Sequence, residues 1–189
     1  MLYQRSLVIK SLGVPLFRQK IVIVRSTFLG AVFVHNSAYV GEWKNGKANG
    51  HGALTNKDGK VYTGNFKNGK LEGNGSMLME NGAFYEGFWK RGRFSEFGVF
   101  TYSEDDVEGR KIYSGDWLNN RKHGFGELVW NNNQIYEGDW HHGYMQGNGA
   151  LYKPNGAIYD GEWFNNYKSL KMNIIENNLF YLYLLKAVY

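Results

Sequence analysis

The sequence predicts an all-β fold, an elongated antiparallel solenoid of β-hairpins in which one short unit recurs along the chain. Six segments begin with the same pattern, Tyr-x-Gly-x-Trp or Phe, at a spacing of 23 residues that is lengthened once to 28. Glycine is abundant, at 25 of 189 residues, and proline occurs only twice. Aromatic residues make up 17% of the chain. This composition favours tight turns between aromatic-rich strands over helical bundles or disordered linkers.

The first strand of each unit is predicted from the five-residue pattern. The units start at Tyr39, Tyr62, Tyr85, Tyr113, Tyr136 and Tyr159. Alternate side chains of a strand share a face, so the tyrosine, the glycine and the tryptophan lie together and the residues between them lie opposite. Those intervening residues are mostly polar or acidic, as at Glu42 and Asp139. The pattern is typical of a sheet with one face in water.

The second strand of each unit is predicted from a later glycine, such as Gly52, and the apolar residue two positions after it. Another glycine usually stands two positions before the later glycine, and only the third unit has Glu96 there. Each unit is therefore a hairpin with Asn-Gly or Asp-Gly turns. The glycine between the two aromatic residues should leave room for a ring from a neighbouring strand. Replacing Gly138 with valine is expected to displace such a ring, at about 1–3 kcal/mol.

The N-terminal flank, residues 1–38, differs from the repeats in composition. It holds five Lys or Arg and no acid. Residues 7–9 and 21–24 are rich in β-branched residues and predict strands that begin the array, while residues 30–38 resemble the second half of a degenerate unit. A flank of this kind would cover the open edge of the sheet. The acid-free composition is also typical of a mitochondrial presequence, and this alternative stays open.

The C-terminal flank, residues 168–189, has apolar residues at a helical spacing, at positions 170, 174, 175, 179, 182 and 185. This spacing predicts a helix with a wide apolar stripe. The helix either caps the array, pairs with another chain such as a second copy in a homodimer, or contacts a membrane. It is not a membrane span, because the longest apolar run, residues 179–185, is seven residues long and a span needs about 20.

The distribution of charge and the absence of cysteine exclude several classes of function. The net charge is +5, but residues 39–167 hold 14 basic and 16 acidic residues. A nucleic-acid interface needs its Lys and Arg on the folded body, so no nucleic-acid partner is expected. With no cysteine, disulfides, thiolate zinc sites and cysteine nucleophiles are excluded. No catalytic group can be assembled from the pattern, and we expect no enzyme activity, no cofactor and no metal.

Three local patterns look functional and have simpler explanations. Residues 41–47 resemble a phosphate-binding loop, but no hydroxyl residue follows the lysine and the glycines belong to the repeat. His141 and His142 suggest a metal site, yet adjacent residues of a strand point to opposite faces. The insertion at 103–109 holds four acids without the alternating spacing of a calcium loop. We expect it to be a solvated loop.

The unit as a whole resembles the MORN repeat, named for the membrane occupation and recognition nexus. The resemblance rests on Tyr-x-Gly-x-Trp, on a glycine at the eighth position such as Gly46, and on the later Gly-x-Gly. It covers residues 39–167 with six units, of which the sixth is partial. The clearest departures are Phe66 in place of tryptophan, and Asn120 and Asn166 in place of the eighth-position glycine.

Proteins with MORN repeats are mostly scaffolds and targeting modules of cilia, the cytoskeleton and membrane junctions. The resemblance therefore implies a non-catalytic, intracellular assembly protein that binds partner proteins, with a ciliary axoneme or cytoskeletal complex as its setting. The alternatives are peripheral membrane attachment through the basic and apolar termini, and an accessory subunit of a mitochondrial or other enzyme complex.

Partner binding is expected in an aromatic groove on one face of the sheet. Many of its rings should pack unit against unit, and those left exposed would anchor a peptide, because Tyr and Trp bring large contact area at low entropic cost. The expected groove residues are Tyr39, Trp43, Tyr62, Phe66, Tyr85, Trp89, Tyr113, Trp117, Tyr136, Trp140, Tyr159 and Trp163.

Overall fold

The repeated units pair edge to edge in a single sheet. The structure is a computed structural model, and it describes residues 30–34, 37–170 and 183–185. These residues form one antiparallel sheet of 14 strands in which every strand pairs with its neighbours in chain order. The first and last strands do not pair with each other, so the sheet is open. The all-β class and the repeated hairpins predicted from the sequence are confirmed.

The strands of each unit are joined by a two-residue turn, and the second strand begins directly after it. The second strand of the first unit thus starts at Lys47, earlier than the position near Gly52 predicted from the sequence. The strands are β1 (Gly30–Val34), β2 (Ser37–Lys44), β3 (Lys47–Thr55), β4 (Val61–Lys67), β5 (Lys70–Leu78), β6 (Phe84–Lys90), β7 (Arg93–Thr101), β8 (Arg110–Leu118), β9 (Arg121–Trp130), β10 (Ile135–His141), β11 (Tyr144–Tyr152), β12 (Ile158–Phe164), β13 (Tyr167–Leu170) and β14 (Tyr183–Leu185).

The turns within units have positive φ at both central residues, for example 51° at Asn45 and 70° at Gly46. This is the geometry of the tight turn whose twist matches antiparallel strands. Asn120, which stands where most units have glycine, has a φ of 67°. Its side-chain Oδ1 accepts a hydrogen bond of 2.8 Å from the backbone N–H of Phe94 in the preceding unit. Asparagine at this position therefore adds a bond between units that glycine could not make.

The same turns bond to the preceding unit through the backbone. The N–H of Gly69 donates to the carbonyl of Ala48 at 2.8 Å, and the N–H of Gly143 donates to the carbonyl of Lys122 at 2.8 Å. Loops between units are instead closed mainly by bonds within themselves, such as the 2.9 Å bond from Asn56 N–H to the Lys60 carbonyl, although Asn131 N–H also donates to the carbonyl of Gly109 in the preceding loop at 2.7 Å. The turns at one end of the strands and the loops at the other end are thus hydrogen-bonded differently.

Acids of the polar face stabilise an irregular stretch of the second strand. The Asp139 carboxylate accepts a hydrogen bond of 2.9 Å from the N–H of Asn148. Gly147 gives this carboxylate its space, since a Cβ there would lie 2.7 Å from an Asp139 oxygen. The third unit has Phe88 in place of the acid and Glu96 in place of the glycine, so both partners of the contact are missing together.

Glu96 is expected to destabilise its unit, because it holds a φ of 54° that glycine adopts at the same position elsewhere. The left-handed conformation costs a residue with a Cβ about 1–2 kcal/mol. Glycine avoids this cost but loses more backbone entropy on folding, which offsets part of the gain. We therefore expect Glu96→Gly to raise the free energy of unfolding by about 0.5–1 kcal/mol in urea titrations. The control is Glu86→Gly in regular strand, which should lower stability by a similar amount. Equal losses for both variants would contradict this account.

The N-terminal strand continues the register of the repeats. β1 places Gly30 opposite Gly41, just as the later glycine of one unit faces the pattern glycine of the next, for example Gly52 and Gly64. The degenerate half unit at 30–38 stays a prediction. The strands predicted at residues 7–9 and 21–24 lie outside the described residues.

The C-terminal helix predicted over residues 168–189 is not shown by the structure. Residues 168–170 belong to β13, and residues 183–185 form β14 at the edge of the sheet. The remainder of the segment lies outside the described residues. Lys168 pairs with Trp163 in the register that Met145 has with Trp140, so the chain here continues the sixth hairpin. Within the described ranges, no helix is long and apolar enough to cross a membrane.

Candidate binding site on the aromatic face

A row of glycines crosses the sheet on the face that carries the twelve predicted groove residues, called here the aromatic face. In every strand pair from β1 to β12, one glycine lies directly opposite another. The row brings the backbones of paired strands close together and leaves room for a ring to lie over them. Its members are Gly30, Gly41, Gly52, Gly64, Gly75, Gly87, Gly98, Gly115, Gly126, Gly138, Gly149 and Gly161.

Each pattern tyrosine lies along this row. In the fifth unit, a Cβ on Gly138 would lie 2.7 Å from the Tyr136 hydroxyl, and a Cβ on Gly149 would lie 2.5 Å from it. The hydroxyl donates a hydrogen bond of 2.9 Å to the carbonyl of Asp139. The ring over Gly138 therefore comes from its own strand, and the expectation of a ring from a neighbouring strand is wrong at this position. A tyrosine two residues before a glycine reaches it by leaning along the strand.

The tryptophans link each unit to the one before it. Trp140 donates its indole N–H to the carbonyl of Gly126 at 3.0 Å, and Trp163 donates to the carbonyl of Gly149 at 2.8 Å. The Tyr136 ring lies between these two indoles, with centroid distances of 5.2 and 5.0 Å and near-perpendicular planes. Such edge-to-face pairs are favourable beyond their buried area. In the described part of the chain, no buried polar side-chain atom lacks a hydrogen-bond partner.

Most of the predicted groove residues therefore form the core. Ten of the twelve are buried, and only Trp43 and Tyr159 are partly buried. Burial raises the pKa of Tyr62 to about 12. The contact of these rings with a partner stays a prediction, and any open surface on the aromatic face must come largely from other side chains.

The openness of the aromatic face depends on the residue opposite the tryptophan or phenylalanine of each pattern. In the third unit this residue is Phe94, which stacks on Tyr85 with a centroid distance of 3.8 Å and packs edge-on against Trp89 and Trp117. The next two units have slender, unbranched side chains there, which cover less of the face. The residues at this position are Ala48, Leu71, Phe94, Lys122, Met145 and Lys168.

A cleft of about 690 Å³ lies over the fourth and fifth units, where the slender side chains stand. About half of its lining is apolar, and this half includes Trp130, Trp140, Met145, Leu151 and Trp163. Its charged lining consists of Lys122, Glu108, Arg110 and Arg121, with His142 beside them. Clefts in which aromatic walls and polar groups converge are common binding sites.

The insertion between the third and fourth units contributes part of this charged lining. Arg110 forms an ion pair of 2.7 Å with Asp106 and one of 3.0 Å with Glu108. The guanidinium also lies 4.5 Å from the centre of the Tyr102 ring. Hydrogen bonds from Arg110 lower the pKa of Asp106. The insertion is thus solvated at Val107, which is 97% exposed, but it is not merely a solvated loop, because Asp106 fixes Arg110 beside the cleft.

Lys122 is a cation within the aromatic face. Its Nζ lies 4.0 Å from the centre of the Trp140 ring and 5.5 Å from that of Tyr113. Burial, and secondarily the charge of Arg110, lowers the pKa of Lys122 to about 7. In the described ranges the ion pairs are those of Arg110, so Lys122 has no carboxylate partner there. Lys122 was not among the residues predicted from the sequence, although a lysine at a position that is apolar in four of the other five units was a visible signal.

Histidines cluster at the turn of the fifth unit. The rings of His141 and His142 are 4.3 Å apart, and His123 lies 5.2 and 5.3 Å from them. His141 and His142 do not point to opposite faces as predicted, because His142 belongs to the turn and has a φ of 50°. Over the described residues, no group of three metal-binding side chains has a geometry that could hold an ion.

The histidine cluster is expected to make stability fall in mild acid. Local desolvation and the charges of His141, His123 and Arg121 lower the pKa of His142, which is exposed. The folded state therefore resists protonation, and its stability is lost as the pH falls below about 6.5, the pKa of an unfolded histidine. His142→Asn recreates the Asn-Gly turn of the first two units. We expect the melting temperature of this variant to fall less between pH 7.5 and 5.5 than that of the wild type; equal falls would contradict the mechanism.

The opposite face of the sheet carries its own apolar row, besides the polar residues predicted for it. The residue before each pattern tyrosine pairs with an apolar or threonine side chain of the adjacent strand, as Val61 does with Leu78 and Ile158 with Tyr152. These four side chains are exposed, Ile158 by 63%. The face is therefore only partly polar.

The sheet is open and is built from similar hairpins. Paired glycines and the contacts between tyrosines and tryptophans of neighbouring units hold it together, and this arrangement defines an all-β repeat protein. The MORN repeat family model matches residues 39–61, 62–84, 85–107, 113–135, 136–158 and 159–169. The chain therefore belongs to the MORN-repeat proteins, as the sequence pattern predicted. The first five matches each contain the turn and most of both strands of one hairpin, and the sixth ends within β13.

Comparison with whole proteins adds little to the family assignment. No curated protein matches the sequence. Among solved structures, the chain is similar to the TCP domain of SAS-4 (dCPAP) of Drosophila melanogaster, in complex with a proline-rich motif of Ana2 (dSTIL). The sequences are 11% identical, the TM-score is 0.39, and the match covers 82% of this chain and 92% of the other.

Proposed function

We propose that this protein is a non-catalytic assembly module that binds a partner protein on its aromatic face. The observation that carries the proposal is the cleft of about 690 Å³ over the fourth and fifth units. In this cleft the aromatic and aliphatic side chains are not covered by a large residue, as Phe94 covers them in the third unit. A partner side chain seated there would bury apolar surface against a rigid floor, which is the usual source of affinity at protein interfaces.

Rigidity of the floor supports a binding role further. The rings below the cleft are fixed by hydrogen bonds from Trp140 to Gly126 and from Tyr136 to Asp139. A preformed surface loses little conformational entropy on binding. The non-catalytic part of the proposal follows the general character of proteins with MORN repeats.

A photo-crosslinking experiment tests the proposed binding face. The photoreactive residue p-benzoylphenylalanine replaces Trp130 in the cleft, and in a matched variant it replaces Ile158 on the opposite face. After irradiation in cells, the adducts are identified by mass spectrometry. We expect a protein adduct from position 130 and none of that protein from position 158. The purified partner should then bind the array, and Trp130→Ala should weaken its Kd at least tenfold.

Two results would overturn this function. Lipid adducts alone from position 130 would favour the membrane-attachment alternative. A partner captured only from position 158 would move the interface to the opposite face. Because benzophenone reacts with C–H bonds of lipid and protein alike, one experiment separates these cases.

The setting we propose is a ciliary axoneme or another cytoskeletal complex. It is supported by what MORN-repeat proteins commonly do and by the mildly acidic repeat body, which disfavours attachment of the array to anionic lipid. Imaging of the tagged full chain tests it. Signal along cilia or cytoskeletal structures is expected, and signal confined to mitochondria would support the accessory-subunit alternative instead.

A further inference from the structure

We propose that the aromatic face from the fourth to the sixth unit recognises an acidic segment of the partner, with Lys122 in the cleft and Lys168 beyond it each pairing with a carboxylate of that segment. The inference rests on the proposed function, because it requires that the aromatic face bind a protein. It adds the chemistry of the partner and names the two side chains that select it.

The environment of Lys122 is incomplete without an anion. Its ammonium lies over Trp140 and close to Tyr113, and Arg110 adds a second positive charge nearby. The acids that face it, Asp106 and Glu108, are both bound to Arg110. A cation in an apolar setting is costly unless an anion or strong hydrogen bonds accompany it. A carboxylate entering the cleft would supply the missing charge.

Lys168 repeats this arrangement two units further on. Its Nζ lies 4.7 Å from the centre of the Tyr159 ring and 5.8 Å from that of Trp163, which lines the cleft. Both lysines lie opposite the tryptophan of their unit, and the intervening unit has Met145 in that position. The aromatic face thus presents two cations separated by an apolar stretch.

The spacing of the two lysines sets the spacing of the acids. Lys122 is on β9 and Lys168 is on β13, four strand intervals apart. At about 4.8 Å per interval the separation is about 19 Å, which an extended peptide spans in about six residues. The apolar wall between them, with Trp140 and Met145, fits hydrophobic side chains between the two acids. The proposed ligand is therefore an extended segment of acid, apolar residues and acid.

Selection from a phage-displayed library of random 12-residue peptides tests the inference on the full chain. The wild type, Lys122→Met, Lys168→Met and the control Lys67→Met, an exposed lysine of the second unit, are used as targets. We expect the wild type and the control to enrich peptides with two Asp or Glu about six positions apart. Lys122→Met and Lys168→Met should each lose the preference for one acid. Methionine is the native residue at this position in the fifth unit, so the variants should fold.

The best selected peptide is then synthesised and titrated by fluorescence anisotropy. Lys122→Met should weaken its Kd at least tenfold, as should glutamine in place of the matching acid, and the two changes together should add little more. Enrichment of apolar peptides without acids would overturn this inference and leave the proposed function intact. The same holds if Lys122→Met binds the peptide as the wild type does. Failure to enrich any peptide would count against both.

Discussion

Replacing Gly138 with valine, or even with alanine, is expected to lower the free energy of unfolding by about 3 kcal/mol, at the upper end of the usual cost of overpacking. A Cβ at this position would lie 2.5 Å from the Cα of Gly149 and 2.6 Å from the carbonyl oxygen of Asn148. Both are backbone atoms of the paired strand, so relief requires the strands to separate. The Tyr136 ring would be displaced as well. Urea unfolding followed by tryptophan fluorescence measures the loss.

Gly156→Ala is the matched control for this prediction. Gly156 has a φ of 82° but open space around its Cα, so alanine there meets only backbone strain. That strain costs about 1–2 kcal/mol. If the two alanine variants lost the same stability, the close approach of the glycine row would not be the cause of the Gly138 effect.

Lys122→Met is expected to stabilise the free protein by about 1–3 kcal/mol at pH 6, because it removes a cation from an apolar setting. Methionine fits, since Met145 occupies the same position one unit later. The gain in stability and the loss of peptide affinity should therefore occur in the same variant. Such opposite effects are typical of a residue retained for binding and not for folding.

The stabilisation by Lys122→Met should depend on pH in a defined direction. The pKa of Lys122 is lowered from 10.5 in the unfolded chain to about 7 in the folded one. Between these values the unfolded state binds the extra proton, so wild-type stability rises with pH relative to the variant. The advantage of methionine should be full below pH 7 and vanish near pH 10. A difference that stayed constant from pH 6 to 10 would exclude the lysine charge as its cause.

The repeat made the strands and their pairing predictable. A period of 23 residues fixes which glycines and aromatic residues recur, and alternation along a strand assigns them to a face. The steric need for glycine beside the rings followed from the same pattern. The origin of the ring did not, because Tyr136 reaches Gly138 by a side-chain lean that spacing does not encode.

The features that were missed are those in which units differ from one another. The role of Lys122 depends on its contact with Trp140, a residue of the next unit. The role of Asp106 depends on its ion pair with Arg110. His142 contacts His123 because it lies in the turn after β10, and β10 pairs with β9, which carries His123. A repeat pattern emphasises what the units share, and a candidate site depends on departures from it. The C-terminal helix was suggested by apolar spacing alone, whereas the register of Lys168 with Trp163 continues the sheet.

The unequal hydrogen bonding of the two kinds of turn has a consequence for how such a chain can change over evolution. Turns within units are hydrogen-bonded to the preceding unit through the backbone, so a lengthened turn would break the hydrogen bond between neighbouring units. Loops between units close mainly on themselves, and one of them accepts the five-residue insertion, gains a bond to the next loop at Asn131, and leaves the strand order unchanged. One margin of the sheet is therefore permissive to added sequence and the other is not. New specificity can accumulate along the permissive margin, where Arg110 already stands beside the cleft.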